Sequence, residues 1–130
     1  MTAAYVDTSF LLAILFGEPR SGTLRRIVDR FERIFSSDLL VAECLSAATR
    51  ERVDPAAVLV ALRRVSVVLP PRSLEAEVLE ASAQGYLRGA DLWHVACALF
   101  LADAARSEFA FLSRDAAQRK VAGQLGFSTP

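Results

Sequence analysis

Histidine, lysine and tryptophan each occur once in this 130-residue chain, and cysteine only twice. So few soft ligands leave no set for a histidine- or cysteine-based zinc cluster. Cys44 and Cys97 each sit inside an apolar helical stretch without a Cys-x-x-Cys pairing, and read as small buried hydrophobes kept reduced. No Gly-rich phosphate loop, Gly-x-Ser-x-Gly elbow or Ser-His-Asp order occurs, so no familiar nucleophile or nucleotide cradle is on offer. Net charge is also missing, with fifteen basic and fifteen acidic residues. The longest apolar runs, Phe10 to Phe16 and Val95 to Ala102, fall far short of the ~20 residues that span a bilayer. The first residues lack a basic segment followed by an apolar core, so a cytoplasmic protein with no membrane partner is expected.

What the chain has is apolar mass. Hydrophobic residues make up 53% of it, enough to cover both faces of a sheet with helices. The length fits one domain over residues 1–130. Residues 3–7 read as a buried strand, followed by helices over 10–16 and about 22–33. A weakly signalled strand at 33–36 precedes helices from 37 to about 52 and from 54 to 64. A third strand spans 65–69, and Ser73 caps an acidic-fronted helix carrying Glu75, Glu77 and Glu80. A long apolar helix over about 91–104, a strand at 109–112 and a helix from 115 to about 125 close the pattern. This alternation predicts an α/β fold, three layers with helices on both faces of a central parallel sheet. In such sheets functional groups gather beyond the carboxyl ends of the strands.

Four carboxylates interrupt this apolar pattern. Asp7 ends Ala3-Ala4-Tyr5-Val6, Glu43 breaks into Leu39-Leu40-Val41-Ala42, Asp91 opens Leu92-Trp93-His94-Val95, and Asp115 follows Phe109-Ala110-Phe111-Leu112 by two residues. Carboxylates among apolar neighbours lose hydration unless a proton, a basic group or a cation compensates them. Lysine and arginine are absent from the immediate flanks of the first three. Asp7, Asp91 and Asp115 each have a simpler reading as a helix cap or a first-turn acid. Together, at one sheet edge, the four form a hard-oxygen set suited to Mg²⁺ or Mn²⁺, able to hydrolyse a phosphodiester.

Supporting groups are less sharply defined. Thr8, Ser9 and Ser113 could orient the carboxylates or cap helices. His94, one turn after Asp91, reads first as a packed core histidine and second as a contact to a phosphate or a water. Fourteen of the fifteen bases are arginines, clustered at Arg25, Arg26, Arg30 and Arg33 and at Arg63 and Arg64, as solvated helix faces or phosphate contacts. A phosphatase with Asp7 as nucleophile is weakened because Ser9 stands where a partnering aspartate is expected.

Four stretches, Tyr5-Val6-Asp7-Thr8-Ser9, Ser36-Ser37-Asp38 through Glu43, Gly89-Ala90-Asp91 through Ala98, and Phe111-Leu112-Ser113-Arg114-Asp115, resemble in order the acidic motifs of PIN-domain ribonucleases. Size, spacing and Gly126-Phe127 look most like the VapC-type toxins of toxin-antitoxin pairs. The resemblance implies a PIN-like fold and a Mg²⁺- or Mn²⁺-dependent endoribonuclease cutting structured RNA such as tRNA or rRNA. It also implies a homodimer, neutralised by a cognate VapB-like antitoxin that lays its C-terminal segment across the acidic groove. Asp7, Glu43, Asp91 and Asp115 carry over as metal-binding and catalytic acids, with Ser9 and Ser113 as supports. Many relatives have threonine where Ser113 stands, which keeps the hydroxyl. The alternative is a catalytically silent PIN-fold module that binds RNA or a partner.

Overall fold

A computed structural model describes residues 2–130. Four parallel strands, β1 (Ala3–Val6), β2 (Arg33–Ser37), β3 (Val65–Val68) and β4 (Phe109–Leu112), form one sheet in the order β3-β2-β1-β4. Between them run α1 (Thr8–Leu15), α2 (Ser21–Val28), α3 (Leu39–Glu51), α4 (Pro55–Leu62), α5 (Glu75–Ser82) and α6 (Gly89–Ala102), and α7 (Ala116–Gln124) follows β4. The expected α/β architecture is thus the observed one.

The period-2 alternation of the strands decides which helices cover which face. Tyr5 lies in register with Phe35 on one side and Phe111 on the other, and this face packs against α5, α6 and α7. The Tyr5 and Phe111 rings stack with centroids 5.5 Å apart. Ala4 and Val6, with Ile34, Ala110 and Leu112, form the opposite face and meet Phe10 of α1 and Val28 of α2. Helix α6 is apolar nearly all round because it is buried nearly all round, from His94 through Leu99.

Several boundaries differ from the sequence expectation. Helix α2 stops at Val28, not near Arg33, because the chain must turn into β2. Arg64 holds that turn, donating to the carbonyls of Val28 and Phe31 at 3.3 Å each and to the Asp29 carboxylate at 2.8 Å. One member of the arginine clusters, read from sequence as solvated helix faces or phosphate contacts, is therefore spent on a helix end. Helix α6 starts two residues earlier than expected, at Gly89, which keeps Asp91 in its first turn. Ser73 accepts the Glu75 N–H at 3.2 Å, but Leu74 occupies the cap position itself.

Beyond α7 the chain reverses at Gly126, whose φ of 107° suits glycine. Ser128 then exchanges hydrogen bonds with Phe109 and Phe111, covering the free edge of β4. Among the described residues, no helix is long and apolar enough to cross a membrane.

Candidate active site

The strand order places a switch point at β1, since the chain leaves it toward β2 on one side and reaches β4 on the other. Ligand sites of open parallel sheets form at such crevices, beyond the strand ends. Asp7 stands there. Its backbone N–H donates to Leu112 O at 2.9 Å, and its carboxylate caps α1 by accepting from the Ser9 N–H at 3.2 Å and the Ser9 hydroxyl at 2.7 Å. Only 4% of its surface is exposed.

Glu43 approaches from the second turn of α3. Its Oε1 accepts from the Thr8 hydroxyl at 2.8 Å and lies 2.9 Å from His94 Nε2. The bond from His94 outweighs the opposing desolvation, and Thr8 adds to it, so the Glu43 carboxyl is held below its ordinary pKa. Asp91, in the first turn of α6, shifts the other way. Burial raises its pKa first, then the nearby charges of Asp7 and Asp115, against a weaker pull from Arg88. Arg88 is the cation closest in chain to Asp91 and reaches it at 3.7 Å.

Asp7, Glu43 and Asp91 line a single open groove of about 490 Å³, together with Thr8, Ser9 and Arg50. Asp115 does not line it with them. It caps α7, accepting the Gln118 N–H at 2.8 Å, and acts on the groove through its charge on Asp91. The cap reading and the site reading of Asp7 and Asp115 therefore coexist. A carboxylate with two oxygens can cap a helix and still carry charge at the edge of a groove.

Residues 4–124 match the family model described as PIN domain. The chain belongs to that family. Comparison with curated proteins gives no match, and comparison with solved structures gives none. A PIN domain is a nuclease-type fold, and its members are generally hydrolases of nucleic acid that use divalent metal ions. All four acids of the sequence analysis fall within the matched span.

The donor set of this PIN domain fits a hard divalent cation by its chemistry, because only carboxylate and hydroxyl oxygens face the groove from its polar residues, apart from Arg50. Burial and, after it, repulsion from Asp7 and Asp115 raise Asp91, and such an ion relieves both. Among the described residues, though, no three His, Cys, Asp or Glu side chains stand ready-gathered as a metal cluster. The acids are turned onto protein donors instead: Asp7 onto Ser9, Glu43 onto Thr8 and His94, and Asp115 onto α7.

His94 is placed differently from the phosphate-contacting alternative. It has no exposed surface, so nothing in the groove touches it without passing the acids. Two residues of this PIN domain escaped sequence reading. Tyr5 donates or accepts at His94 Nδ1 at 2.7 Å from inside the sheet. Gln118, fully buried, accepts from Ser113 at 2.6 Å and donates to the Asp91 carbonyl at 3.0 Å and toward Asp7 Oδ1 at 3.5 Å. Its signal was available, since Gln118, Val121, Ala122 and Leu125 share the inward stripe of α7.

Proposed function

We propose that this PIN domain is a Mg²⁺- or Mn²⁺-dependent endoribonuclease, the toxin of a type II toxin-antitoxin pair of the VapC type. The observation that carries the nuclease reading is the groove itself, where Asp7, Glu43 and Asp91 meet at the switch point while Asp115 presses on Asp91. Asp7, Glu43, Asp91 and Asp115 are the residues that would hold the ion. When bound, the cation would polarise the scissile phosphate and lower the pKa of the attacking water.

The chain's own groups prepare that site. Ser9 holds Asp7 by two bonds, and Thr8 and His94 keep Glu43 ionised. Asp91 would gain from a cation, because burial first and then the charges of Asp7 and Asp115 raise its pKa. Arg50 on the groove wall and Arg88 beside Asp91 supply positive charge for phosphates flanking the cut. These offset the neutral overall composition locally.

As a toxin it would act as a homodimer and be silenced by a small antitoxin whose C-terminal segment crosses the acidic groove. A second contact is the cleft of about 190 Å³ flanked by Leu11, Ile14 and Leu15 of α1 and Arg25 of α2. The test is direct. Purified protein incubated with tRNA and rRNA should cut only when Mn²⁺ or Mg²⁺ is present, and undiminished cutting in excess chelator would refute the reading. Tight binding of RNA without any cutting would favour the silent module instead.

A further inference from the structure

Glu43 is held from inside the protein by a chain of bonds that begins at a buried residue of β1 that does not line the groove. His94 Nε2 faces oxygen only: Glu43 Oε1 at 2.9 Å, Thr8 Oγ1 at 3.4 Å and Asp7 Oδ1 at 3.6 Å. A ring nitrogen set between two carboxylates has to carry the hydrogen, because a bare lone pair would be repelled. The other nitrogen, Nδ1, meets the Tyr5 hydroxyl at 2.7 Å, and both rings are fully buried. With the hydrogen on Nε2, Nδ1 of the neutral ring is an acceptor and the Tyr5 hydroxyl is its donor. The two rings also meet edge to face, 5.8 Å between centroids and 69° between planes, which restricts the imidazole to one orientation.

We propose that Tyr5 and His94 form a positioning relay: the tyrosine hydroxyl fixes the imidazole as its Nε2–H tautomer, and the imidazole presets the Glu43 carboxylate for a divalent cation. The proposal rests on the nuclease reading for Glu43 as an ion ligand. Neither relay residue touches the ion or the RNA. Without the relay, a glutamate whose side chain is 35% exposed keeps only the Thr8 bond at the groove wall, and each ion bound has to order more of it anew. Partners that orient metal ligands in this way usually contribute about 10–100-fold in metal affinity or activity.

The chain's single histidine makes the test clean, since every imidazole nitrogen resonance belongs to His94. In the metal-free wild-type protein, ¹⁵N NMR should show a protonated Nε2 and an unprotonated Nδ1, and Tyr5→Phe should give a mixture of tautomers. Calorimetry with Mn²⁺ should show affinity falling by about 10–100-fold in His94→Phe, and by a smaller factor in Tyr5→Phe. His94→Gln returns an N–H donor at the Nε2 position and should recover much of the loss. With RNA, the variants should lose kcat and keep KM.

An imidazolium or an Nδ1–H tautomer in the wild type overturns the relay. So does Mn²⁺ affinity that ignores Tyr5→Phe, or His94→Gln behaving no better than His94→Phe. Absence of Mn²⁺ uptake by the wild type overturns it as well. If His94→Phe does not fold, the wild-type spectrum and Tyr5→Phe, which removes only a hydroxyl, decide the matter. Relay-dependent Mn²⁺ binding without RNA cutting would refute the nuclease and keep the relay. Cutting with Mn²⁺ affinity blind to Tyr5 would do the reverse.

Discussion

Ser113 donates its hydroxyl to the Gln118 side-chain oxygen at 2.6 Å, fastening the end of β4 to α7 directly beneath the acids. From there the Gln118 amide reaches the Asp91 carbonyl at 3.0 Å, so one buried side chain ties β4, α6 and α7 together. Gln118→Ala strands these buried polar groups and should lower the unfolding free energy by about 1–3 kcal/mol in a urea titration. Gln118→Glu should lose more at neutral pH and regain part of it in acid, because it places a further carboxylate beside Asp7. Equal stability of the wild type and both variants would show that Gln118 is passive filler.

Asp7 combines near-complete burial with the switch-point position, so its charge is the most exposed to test. Asp7→Asn keeps an oxygen to accept from Ser9 and keeps the helix cap, yet removes the negative charge. RNA cutting with Mn²⁺ should fall by more than about 100-fold, since even groups that only support a ligand cost 10–100-fold. The melting temperature should stay level or rise. A fall in activity matched by unfolding in circular dichroism would mean the residue acts through stability alone.

Asp91 has a pH signature. Its folded-state pKa is raised, so the folded protein binds this proton more tightly than the unfolded chain does. The penalty is therefore fully present above the raised pKa and vanishes as pH falls below the ordinary carboxylate value. Asp91→Asn should raise the melting temperature of metal-free protein at pH 7, and the gap should close toward pH 3. For Glu43, with its pKa lowered, the sign is opposite: its contribution is present above the ordinary value and is lost as pH falls through the lowered one. A gap for Asp91→Asn that widens in acid would contradict the repulsion among Asp7, Asp91 and Asp115.

Ile14 is half-buried on α1 and borders the cleft beside Arg25. Ile14→Asp places a charge in that apolar wall and should weaken capture of a cognate antitoxin by about tenfold or more, a cost of at least about 1.4 kcal/mol. Co-purification of the two proteins and the Kd by calorimetry measure it. Unchanged capture by a folded variant would exclude α1 from the interface.

Local pattern accounts for the element order. β1 and β4 were plain because strands buried on both faces must be continuously apolar, and α6 was plain for the matching reason. β2 was faint although it lies inside the sheet, because it ends in Ser36 and Ser37 and begins with Arg33. Tertiary contacts make these residues acceptable there: Ser36 donates to Val6 O at 2.7 Å, and the Arg33 guanidinium lies 4.9 Å from the centre of the Phe35 ring. The true end of α2 was hidden for a similar reason, since the residue that closes it, Arg64, lies 36 positions from Val28.

By itself the sequence determined the alternation of strands and helices and the odd placement of four acids, because periodicity and the cost of burying charge are local properties of a chain. Only the tertiary structure decided what each acid does. It set Asp7, Glu43 and Asp91 around one groove, left Asp115 outside its lining as a helix cap, and put His94 behind Glu43 in the grip of Tyr5. Those outcomes depend on distances between residues up to 111 positions apart, such as Asp7 and Gln118, and no periodic pattern encodes such a distance.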